Sequence, residues 1–186
     1  HEIAAVVAEP VIGAGGVHPA TTDYLAGLRA LCDEHGALLV FDEVITGFGR
    51  LGAWFAAAHH GVTPDLITFA KAVTSGYQPL GGVIVGPRVR EVLEADPTYV
   101  FRHGYTYSGH PAACAAGVAN LALLTDEKLL ERVPAIADRL GGGLGRLRAD
   151  GRIADVRGEG GIWAAEMPEG VDAVAVRDVM LRHGVI

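Results

Sequence analysis

The chain has 186 residues, which is enough for one domain or for one domain and part of another. Half of the residues are hydrophobic and a fifth are charged, a composition typical of a buried globular core rather than of disorder. The net charge of −7 disfavours nucleic acid and anionic membranes as main partners. The two cysteines, Cys32 and Cys114, form no CxxC pair, so we expect neither a structural zinc site nor a disulfide framework, and a reducing cytoplasm fits best.

Both ends of the sequence lie inside apolar stretches. The chain begins at His1 without an initiator methionine and closes at Val185 and Ile186. No apolar run is long enough to span a bilayer, and no signal peptide is visible at the start. We therefore expect a fragment of a longer protein, with no membrane partner.

Short apolar runs alternate with helical segments over the first part of the chain. Buried strands are predicted at residues 3–8, 37–41, 66–70 and 83–85, and a short helix at residues 54–60 is expected to stop at Gly61. A longer helix is predicted to begin at a cap among Thr21, Thr22 and Asp23 and to end at Gly36. Its core face is predicted to contain four side chains: Leu25, Leu28, Leu31 and Cys32. This alternation predicts an α/β fold with a mostly parallel sheet and helices on both faces.

The pattern changes from about Pro111 onward. Helices are predicted at residues 111–124, 127–147 and 171–183. Between residues 153 and 167 we expect two short strands that are broken by Gly158, Gly160 and Gly161. The chain is therefore divided into residues 1–124, part of a large domain, and residues 125–186, the start of a smaller α+β domain.

Charged residues follow three of the predicted strands at their carboxyl ends. Glu9 follows the first strand, Asp42 and Glu43 follow the second, and Lys71 follows the third. The carboxyl ends of parallel strands meet at one edge of a sheet, and ligands bind beyond that edge. We therefore expect carboxylates and one amine to lie close together there.

A lysine and an aspartate at neighbouring strand ends have a chemical use. Partial burial lowers the pKa of a lysine from about 10.4, so that its amine can form an imine with an aldehyde. An aspartate can pair with a pyridinium nitrogen and keep that ring protonated, which makes the ring an electron sink. Asp42 and Lys71 are the two residue types that this chemistry needs. The alternative is an exposed polar rim or a structural salt bridge.

Five ordered stretches of sequence carry a resemblance to a known family. They are EPVIGAGGV at residues 9–17, FDEVITGFGR at 41–50, PDLITFAK at 64–71, TSGYQPLGG at 74–82 and HGYTYSGHP at 103–111. From about Val6 to Met167 the chain resembles the class III pyridoxal-phosphate-dependent aminotransferases, which have the fold type I architecture. The resemblance implies that residues 1–124 belong to the large domain that binds pyridoxal phosphate (PLP).

The resemblance also implies roles for four residues. Lys71 would hold PLP as an imine, Asp42 would pair with the pyridine nitrogen, and Val44 would pack on one face of the ring. Thr106 would offer its hydroxyl and backbone amide to the cofactor phosphate of the neighbouring subunit, which implies a homodimer with sites at the interface. The alternatives are an ordinary core valine at position 44 and, at position 106, a turn hydroxyl bonded to its own backbone.

Other residues of the matched stretches receive different interpretations. In some relatives a glutamate at the position of Glu9 pairs with an arginine of the small domain, and a structural salt bridge is the alternative. Structural roles are expected for Arg50 and Trp54. Fold type I enzymes take further cofactor contacts from an earlier glycine- and serine-rich loop and a stacking aromatic residue, neither of which is visible here. An inactive fragment therefore remains an alternative.

The substrate class is indicated by the run that contains Ile12. This run resembles the omega-amino-acid:pyruvate group, which implies an amine or omega-amino acid as donor and pyruvate as the keto-acid acceptor. Aminomutases, racemases and decarboxylases of the same fold begin with the same lysine imine and remain alternatives. The segment from Thr46 to Arg50 looks more like the aminotransferases.

Two further patterns match other classes of protein only in part. Gly47, Gly49 and Gly52 match GxGxxG, but five residues separate the strand from the first glycine and the helix after the third is short, which disfavours a dinucleotide site. His59 and His60 are adjacent, so on a helix they should point about 100° apart and not bind one metal easily. No HExxH, Walker or GxSxG pattern is present.

Overall fold

A computed structural model describes residues 3–185. Their helices and strands follow in the order β1 (Ala5–Ala8), β2 (Val11–Ile12), β3 (His18–Pro19), α1 (Thr22–His35), β4 (Leu38–Asp42), α2 (Ala56–His60), β5 (Leu66–Phe69), β6 (Gly82–Val85), α3 (Pro87–Glu94), α4 (Pro111–Asp126), α5 (Val133–Ala149), β7 (Asp155–Glu159), β8 (Ile162–Glu166) and α6 (Ala173–Arg182). Two 3₁₀ turns cover Lys71–Val73 and Leu129–Arg132. No helix within residues 3–185 is long and apolar enough to cross a bilayer.

The main sheet has four strands in the order β1-β4-β5-β6. The first three strands are parallel, and β6 runs antiparallel to β5 with Leu66 opposite Val85. The prediction of an α/β fold with a mostly parallel sheet is therefore confirmed. Two antiparallel pairs, β2-β3 and β7-β8, lie outside this sheet.

Strand β4 lies at the centre of the core. Leu39 and Phe41 of this strand are fully buried and pack with Leu25 and Cys32 of α1. The caps of α1 match the prediction, since the Thr21 side chain accepts a hydrogen bond from Tyr24 N at 3.2 Å, and Gly36 ends the helix at φ +70°. Burial of apolar side chains on one helix face thus fixes α1 against the sheet.

The predicted core face of α1 was wrong at Leu31. That side chain is 53% exposed, whereas Leu28 packs against the core. Leu25, Leu28 and Cys32 share one face because they are three and four residues apart. Leu31 precedes Cys32 by one residue, so it points about 100° away from that face.

The first strand was predicted to be buried, and it is not. Strand β1 begins at Ala5 and alternates between exposed and half-buried residues, with Val7 67% exposed. Val6 packs against the core under α1, while Val7 points to the opposite face because side chains alternate along a strand. As an edge strand of the described sheet, β1 is covered on one face only.

The helix predicted to begin at residue 127 begins instead at Val133. Pro134 lies in its first turn, where its missing N–H is not needed, and the preceding residues Leu129–Arg132 form a 3₁₀ turn. Proline therefore sets the start of α5, a signal that the apolar pattern alone did not use.

Glycines shape the β7–β8 hairpin in a different way from the prediction. Only Gly160 and Gly161 lie between the strands, whereas Gly158 is inside β7, opposite Trp163. A Cβ on Gly158 would lie 2.4 Å from Trp163 Cδ2, and one on Gly141 of α5 would lie 2.6 Å from Trp163 Cη2. These glycines make room for the indole ring between α5 and the hairpin.

Candidate active site

Parallel pairing brings the predicted site residues to one edge of the sheet. Ala8 of β1 pairs with Phe41 of β4, and Asp42 pairs with Thr68 of β5. Glu9 follows β1 directly, and Lys71 follows β5 after one intervening residue. The carboxyl ends of three neighbouring strands therefore present Glu9, Asp42 and Lys71 at the same edge.

A cavity of about 620 Å³ opens beside this edge. Its wall is formed by residues from the β4–α2 loop, the turn after β5 and the β7–β8 hairpin: Val44, Ile45, Arg50, Lys71, Ala72, Ser75, Gly76, Gly161 and Ile162. Most of these groups are apolar or backbone, which is typical of a small-molecule site with a few polar anchors. Lys71 and Val44 therefore line one cavity, as a shared role in holding a ligand requires.

Lys71 adopts an unusual backbone conformation. It is the first residue of the 3₁₀ turn Lys71–Val73, and its φ is +46°, in the left-handed region that non-glycine residues rarely occupy. Such a conformation costs on the order of 1–3 kcal/mol and is found preferentially at functional sites. Its side chain is exposed and forms part of the cavity wall.

Asn120 of α4 holds the turn that contains Lys71. Its Nδ2 donates to the carbonyl oxygens of Ala72 at 2.8 Å and Val73 at 3.1 Å, and its Oδ1 accepts from Ser75 Oγ at 2.7 Å. The two residues after Lys71 are thus fixed to a helix that is far away in sequence. The sequence prediction missed Asn120, although a polar, helix-disfavouring residue inside an alanine- and leucine-rich helix is a usable signal.

Asp42 is half-buried at the end of β4, with one oxygen engaged and one free. Its Oδ1 accepts a hydrogen bond from Val44 N at 3.0 Å, which fixes the orientation of the carboxylate. Among the hydrogen bonds of residues 3–185, none reaches the second oxygen, Oδ2. A carboxylate held in this way can accept a further hydrogen bond from a protonated ring nitrogen.

Glu43 is next to Asp42 but has a structural task. It is fully buried, and its carboxylate accepts hydrogen bonds from Thr46 Oγ1 at 3.0 Å and from the backbone N–H groups of Ala56 and Ala57. Burial raises the pKa of Glu43 against the lowering effect of these hydrogen bonds. Both carboxylates were predicted to lie at the sheet edge. Their side chains have different surroundings because successive residues of an extended chain point to opposite faces.

Glu9 forms no salt bridge with any residue that the structure describes. Its Oε2 accepts a hydrogen bond from Gly13 N at 3.0 Å and so closes the glycine-rich turn after β2. The alternative of a structural salt bridge is therefore not found among residues 3–185, and pairing with an arginine of the small domain stays a prediction. The Glu9 carboxylate is instead paired with the backbone N–H of Gly13, four residues later.

Thr106 lies apart from this cavity, in an exposed turn. The hydrogen bonds of that turn come from Ser108, whose Oγ accepts from Tyr105 N at 2.8 Å and whose N donates to Tyr105 O at 2.9 Å. The alternative in which the Thr106 hydroxyl bonds to its own turn was therefore wrong. Within residues 3–185 its hydroxyl makes no hydrogen bond, so it is available for a ligand.

Arg50 and Trp54 both make structural contacts through their backbones. Arg50 O accepts from Gly161 N at 2.8 Å, and Trp54 O accepts from Phe48 N at 2.6 Å. Arg50 also lines the cavity, so the expectation of a structural role alone was incomplete for this residue.

The GxGxxG segment has the wrong context for a dinucleotide site. Gly49 and Gly52 have φ values of +100° and +84° within a run of turns, and the next helix, α2, has five residues. In the dinucleotide fingerprint the third glycine opens a long helix. The structure therefore gives that alternative no support.

Known proteins that are similar to this chain are aminotransferases. The family model described as aminotransferase class-III matches residues 1–186. Beta-alanine–pyruvate aminotransferase of Pseudomonas aeruginosa is 45% identical over 159 residues, which cover 83% of this chain and 36% of that protein. Omega-amino acid–pyruvate aminotransferase of Pseudomonas putida is 44% identical over 177 residues, which cover 92% of this chain and 39% of that protein.

A solved structure has the same fold over nearly the whole chain. The PLP-bound amine transaminase from an uncultivated Pseudomonas species superposes with a TM-score of 0.91 at 38% identity, over 99% of this chain and 45% of the other. The chain thus spans between 36% and 45% of the length of these relatives. Because the family model matches the chain over its full length, the chain belongs to the class III aminotransferase family.

Proposed function

We propose that the protein moves an amino group from an amine or omega-amino acid to a keto acid, with pyruvate as the acceptor. The observation that carries this proposal is the shared cavity of Lys71 and Val44, beside the strand end that presents Asp42. The pyruvate acceptor is supported by the names of two relatives at 44–45% identity. The family match favours this reaction over an aminomutase, racemase or decarboxylase.

The residues at the sheet edge fit PLP as the cofactor. A cavity of about 620 Å³ is in the range of small-molecule sites, Val44 offers an apolar surface for a ring, and Asp42 has one oxygen free for a ring nitrogen. The exposed amine of Lys71 is accessible to an aldehyde. When bound, PLP supplies an electron sink that stabilises negative charge on the substrate carbon.

Lys71 has two successive tasks in this proposal. Its Nζ would hold the cofactor covalently and would be freed when a substrate amine binds in its place. The freed amine of Lys71 then acts as a general base and acid, removing a proton from the substrate carbon and returning it to a neighbouring carbon. Asp42 would pair with the ring nitrogen and would keep that nitrogen protonated.

We also propose that Thr106 binds the cofactor phosphate of a second subunit in a homodimer. Its free hydroxyl, in an exposed turn outside the Lys71 cavity, supports a partner of this kind. The neighbouring segment is unusually apolar at its surface, since Val100, Phe101, Tyr105 and Tyr107 are all exposed. Contiguous exposed apolar side chains are typical of protein interfaces.

Two further proposals come from the sequence. The division into residues 1–124 and 125–186 is supported by the location of β7, β8 and α6 outside the main sheet. A cytoplasmic location is supported by the two free cysteines, Cys32 and Cys114.

The experiment that tests the cofactor role is chemical trapping at lysine. Lys71 and Lys128 are the only lysines of the 186 residues, so Lys128→Ala is a matched control for Lys71→Ala. Full-length protein is mixed with PLP, its absorption spectrum is recorded, and the adduct is reduced with borohydride and mapped by mass spectrometry. We expect a reduced adduct on Lys71 in the wild type and in Lys128→Ala, and none in Lys71→Ala. Turnover by Lys71→Ala would overturn the proposal.

The substrate proposal is tested by a panel of amine donors. Each donor is offered with pyruvate or with 2-oxoglutarate, and the amino product is measured. We expect alanine to form from pyruvate with omega-amino acids or primary amines. Activity with 2-oxoglutarate alone would contradict the proposed acceptor without affecting the role of Lys71.

A further inference from the structure

Three side chains of types that can bind metal ions lie close together where α2 contacts the β7–β8 hairpin. His59 and His60 are the last two residues of α2, and Glu159 is the last residue of β7. One potential ligand atom from each residue lies within 4.8 Å of the others, and His59 Nε2 is 2.8 Å from Glu159 Oε1. None of the three lines the Lys71 cavity.

The two histidine rings lie closer together than their adjacent positions on a helix suggest. Adjacent helical residues do point in different directions, yet the two imidazole rings lie at 86° with their centroids only 4.9 Å apart. The sequence also does not predict that Glu159 lies beside the histidines, because Glu159 is 100 residues from His59. Folding therefore brings together three side chains that do not all occur in any one segment of the sequence.

His60 provides a second, independent observation. It is only 9% exposed, and its Nδ1 lies 3.0 Å from Thr22 Oγ1. Its other ring nitrogen, Nε2, is buried and has no hydrogen-bond partner in the described part of the chain. A buried polar atom without a partner costs free energy and requires an explanation, and a bound cation would provide one.

The charge at this cluster suits a cation. Glu159 has a carboxylate, and among residues 3–185 its only ion-pair partner is His59. Two imidazoles and one carboxylate form a nitrogen- and oxygen-rich set that binds Zn²⁺ and similar divalent transition metals, with remaining positions for water. We propose that His59, His60 and Glu159 form a site for Zn²⁺ or a similar divalent transition metal, which joins α2 to the β7–β8 hairpin.

Binding requires a defined state of each ring. The metal takes the place of the hydrogen now shared by His59 and Glu159, so the ring hydrogen of His59 moves from Nε2 to Nδ1. His60 binds through its free Nε2, while its Nδ1–H donates to Thr22 Oγ1. Hydrogen bonds of this kind from the second ring nitrogen orient metal-binding histidines.

The site has a structural link to the Lys71 cavity. Glu159 is followed by Gly160 and Gly161, and Gly161 forms part of the cavity wall. A metal held between α2 and Glu159 therefore restrains the hairpin that forms one side of that cavity. The proposal itself does not depend on the aminotransferase reaction.

Calorimetric titration of the full chain with ZnCl₂ tests the site. We expect one equivalent to bind to the wild type, and His59→Gln or Glu159→Gln to weaken binding at least about 10-fold, as the loss of outer-shell groups alone does. Thr22→Val removes such an outer-shell group, and should also weaken binding about 10-fold. The matched controls are His35→Gln and His183→Gln, at the ends of α1 and α6, which should bind as the wild type does.

A second measurement keeps the test independent of folding. His59 and Glu159 are partly exposed, so their glutamine variants carry the test and buried His60 is left unchanged. At the same Zn²⁺ concentration, the melting temperature should rise more for the wild type and the controls than for His59→Gln or Glu159→Gln. The proposal would be overturned if the wild type does not bind Zn²⁺ stoichiometrically. It would also be overturned if neither His59→Gln nor Glu159→Gln weakens the binding.

Discussion

Glu43 Oε1 accepts a hydrogen bond from the backbone N–H of Ala57 at 2.8 Å. This buried carboxylate thereby connects the end of β4 with the first turn of α2, where N–H groups have no partner within the helix. Its neighbour Asp42 makes one hydrogen bond, to Val44 N, and has its second oxygen free. One strand end therefore contains a structural carboxylate and a carboxylate that is available to a ligand.

Replacement of Glu43 by glutamine should destabilise the protein. The amide NH₂ cannot accept the hydrogen bonds that Ala56, Ala57 and Thr46 donate, so at least one buried donor loses its partner. We expect a loss of about 1–3 kcal/mol in the free energy of unfolding, measured by urea denaturation. A variant as stable as the wild type would show that these hydrogen bonds contribute little.

Asp42→Asn should have the opposite profile. The amide keeps an oxygen that can accept from Val44 N, so the free energy of unfolding should change by no more than about 0.5 kcal/mol. Without its charge the side chain cannot hold a ring nitrogen protonated, and turnover should fall about 100-fold or more. Steady-state kinetics of the full-length protein measure this, and an equally active variant would remove Asp42 from the proposed site.

Because of Asp65, the free energy of unfolding should decrease as the pH falls in the acid range. Burial acts to raise the pKa of Asp65, but the hydrogen bond from Leu39 N and the pairing with Arg29 outweigh it, and the net effect is a lowered pKa. A carboxyl group with a lowered folded-state pKa stabilises the fold above its unfolded value of about 3.9, and this contribution is lost as pH falls through the folded-state pKa.

Asp65→Asn is the variant that tests this contribution. At pH 7 we expect a loss of about 2–3 kcal/mol, because the amide leaves Arg29 without its buried partner. The difference from the wild type should shrink as pH falls below about 4, which urea denaturation at a series of pH values measures. A constant difference across that range would contradict the role of the charge.

Gly158→Ala should be destabilising because β7 has no room for a side chain there. The new Cβ would lie 2.4 Å from Trp163 Cδ2 and 2.5 Å from Ile162 O, and the carbonyl cannot rotate away. We expect a cost of about 1–3 kcal/mol in thermal or urea unfolding. Gly145→Ala in α5 is the matched control: its Cβ meets nothing within 4 Å, so it should stabilise by about 0.5–1 kcal/mol.

Asn120→Ala should disturb the turn of Lys71 without removing any group from the cavity. Loss of the hydrogen bonds to Ala72 O and Val73 O should slow the labelling of Lys71 by PLP and borohydride roughly tenfold, within the range that small misplacements cost. Thr125→Ala, on the same helix, loses only an exposed hydrogen bond to Leu121 O and should react as the wild type does. Equal labelling rates in all three proteins would show that Asn120 has no positioning role.

Local signals in the sequence were sufficient for much of the fold. Thr21 and Gly36 marked the ends of α1 because a capping side chain and a left-handed glycine act within a few residues. The apolar runs marked β4 and β5, and parallel pairing then brought Asp42 and Lys71 to one edge. The roles of Lys71, Asp42, Val44 and Thr106 and the division at residue 124 remain predictions.

These local signals could not predict contacts between segments that are distant in the sequence. The exposure of Val7 depends on which face of β1 is covered by α1, and Glu9 found its partner in the backbone of Gly13. Asn120 meets the turn of Lys71 from 47–48 residues away, and Glu159 meets His59 across 100 residues. Periodicity describes one face of one element and does not determine which other element contacts it.

At position 71 the backbone conformation favours glycine, whereas the proposed reaction requires the amine of a lysine. Glycine adopts φ +46° without the steric cost that any other residue pays there, and the exposed lysine side chain contributes little burial in return. Glycine at this position should therefore give a more heat-resistant protein than lysine or alanine. A screen for thermal stability alone would discard the one amine on which the proposed reaction depends, so such a screen needs an activity readout beside it.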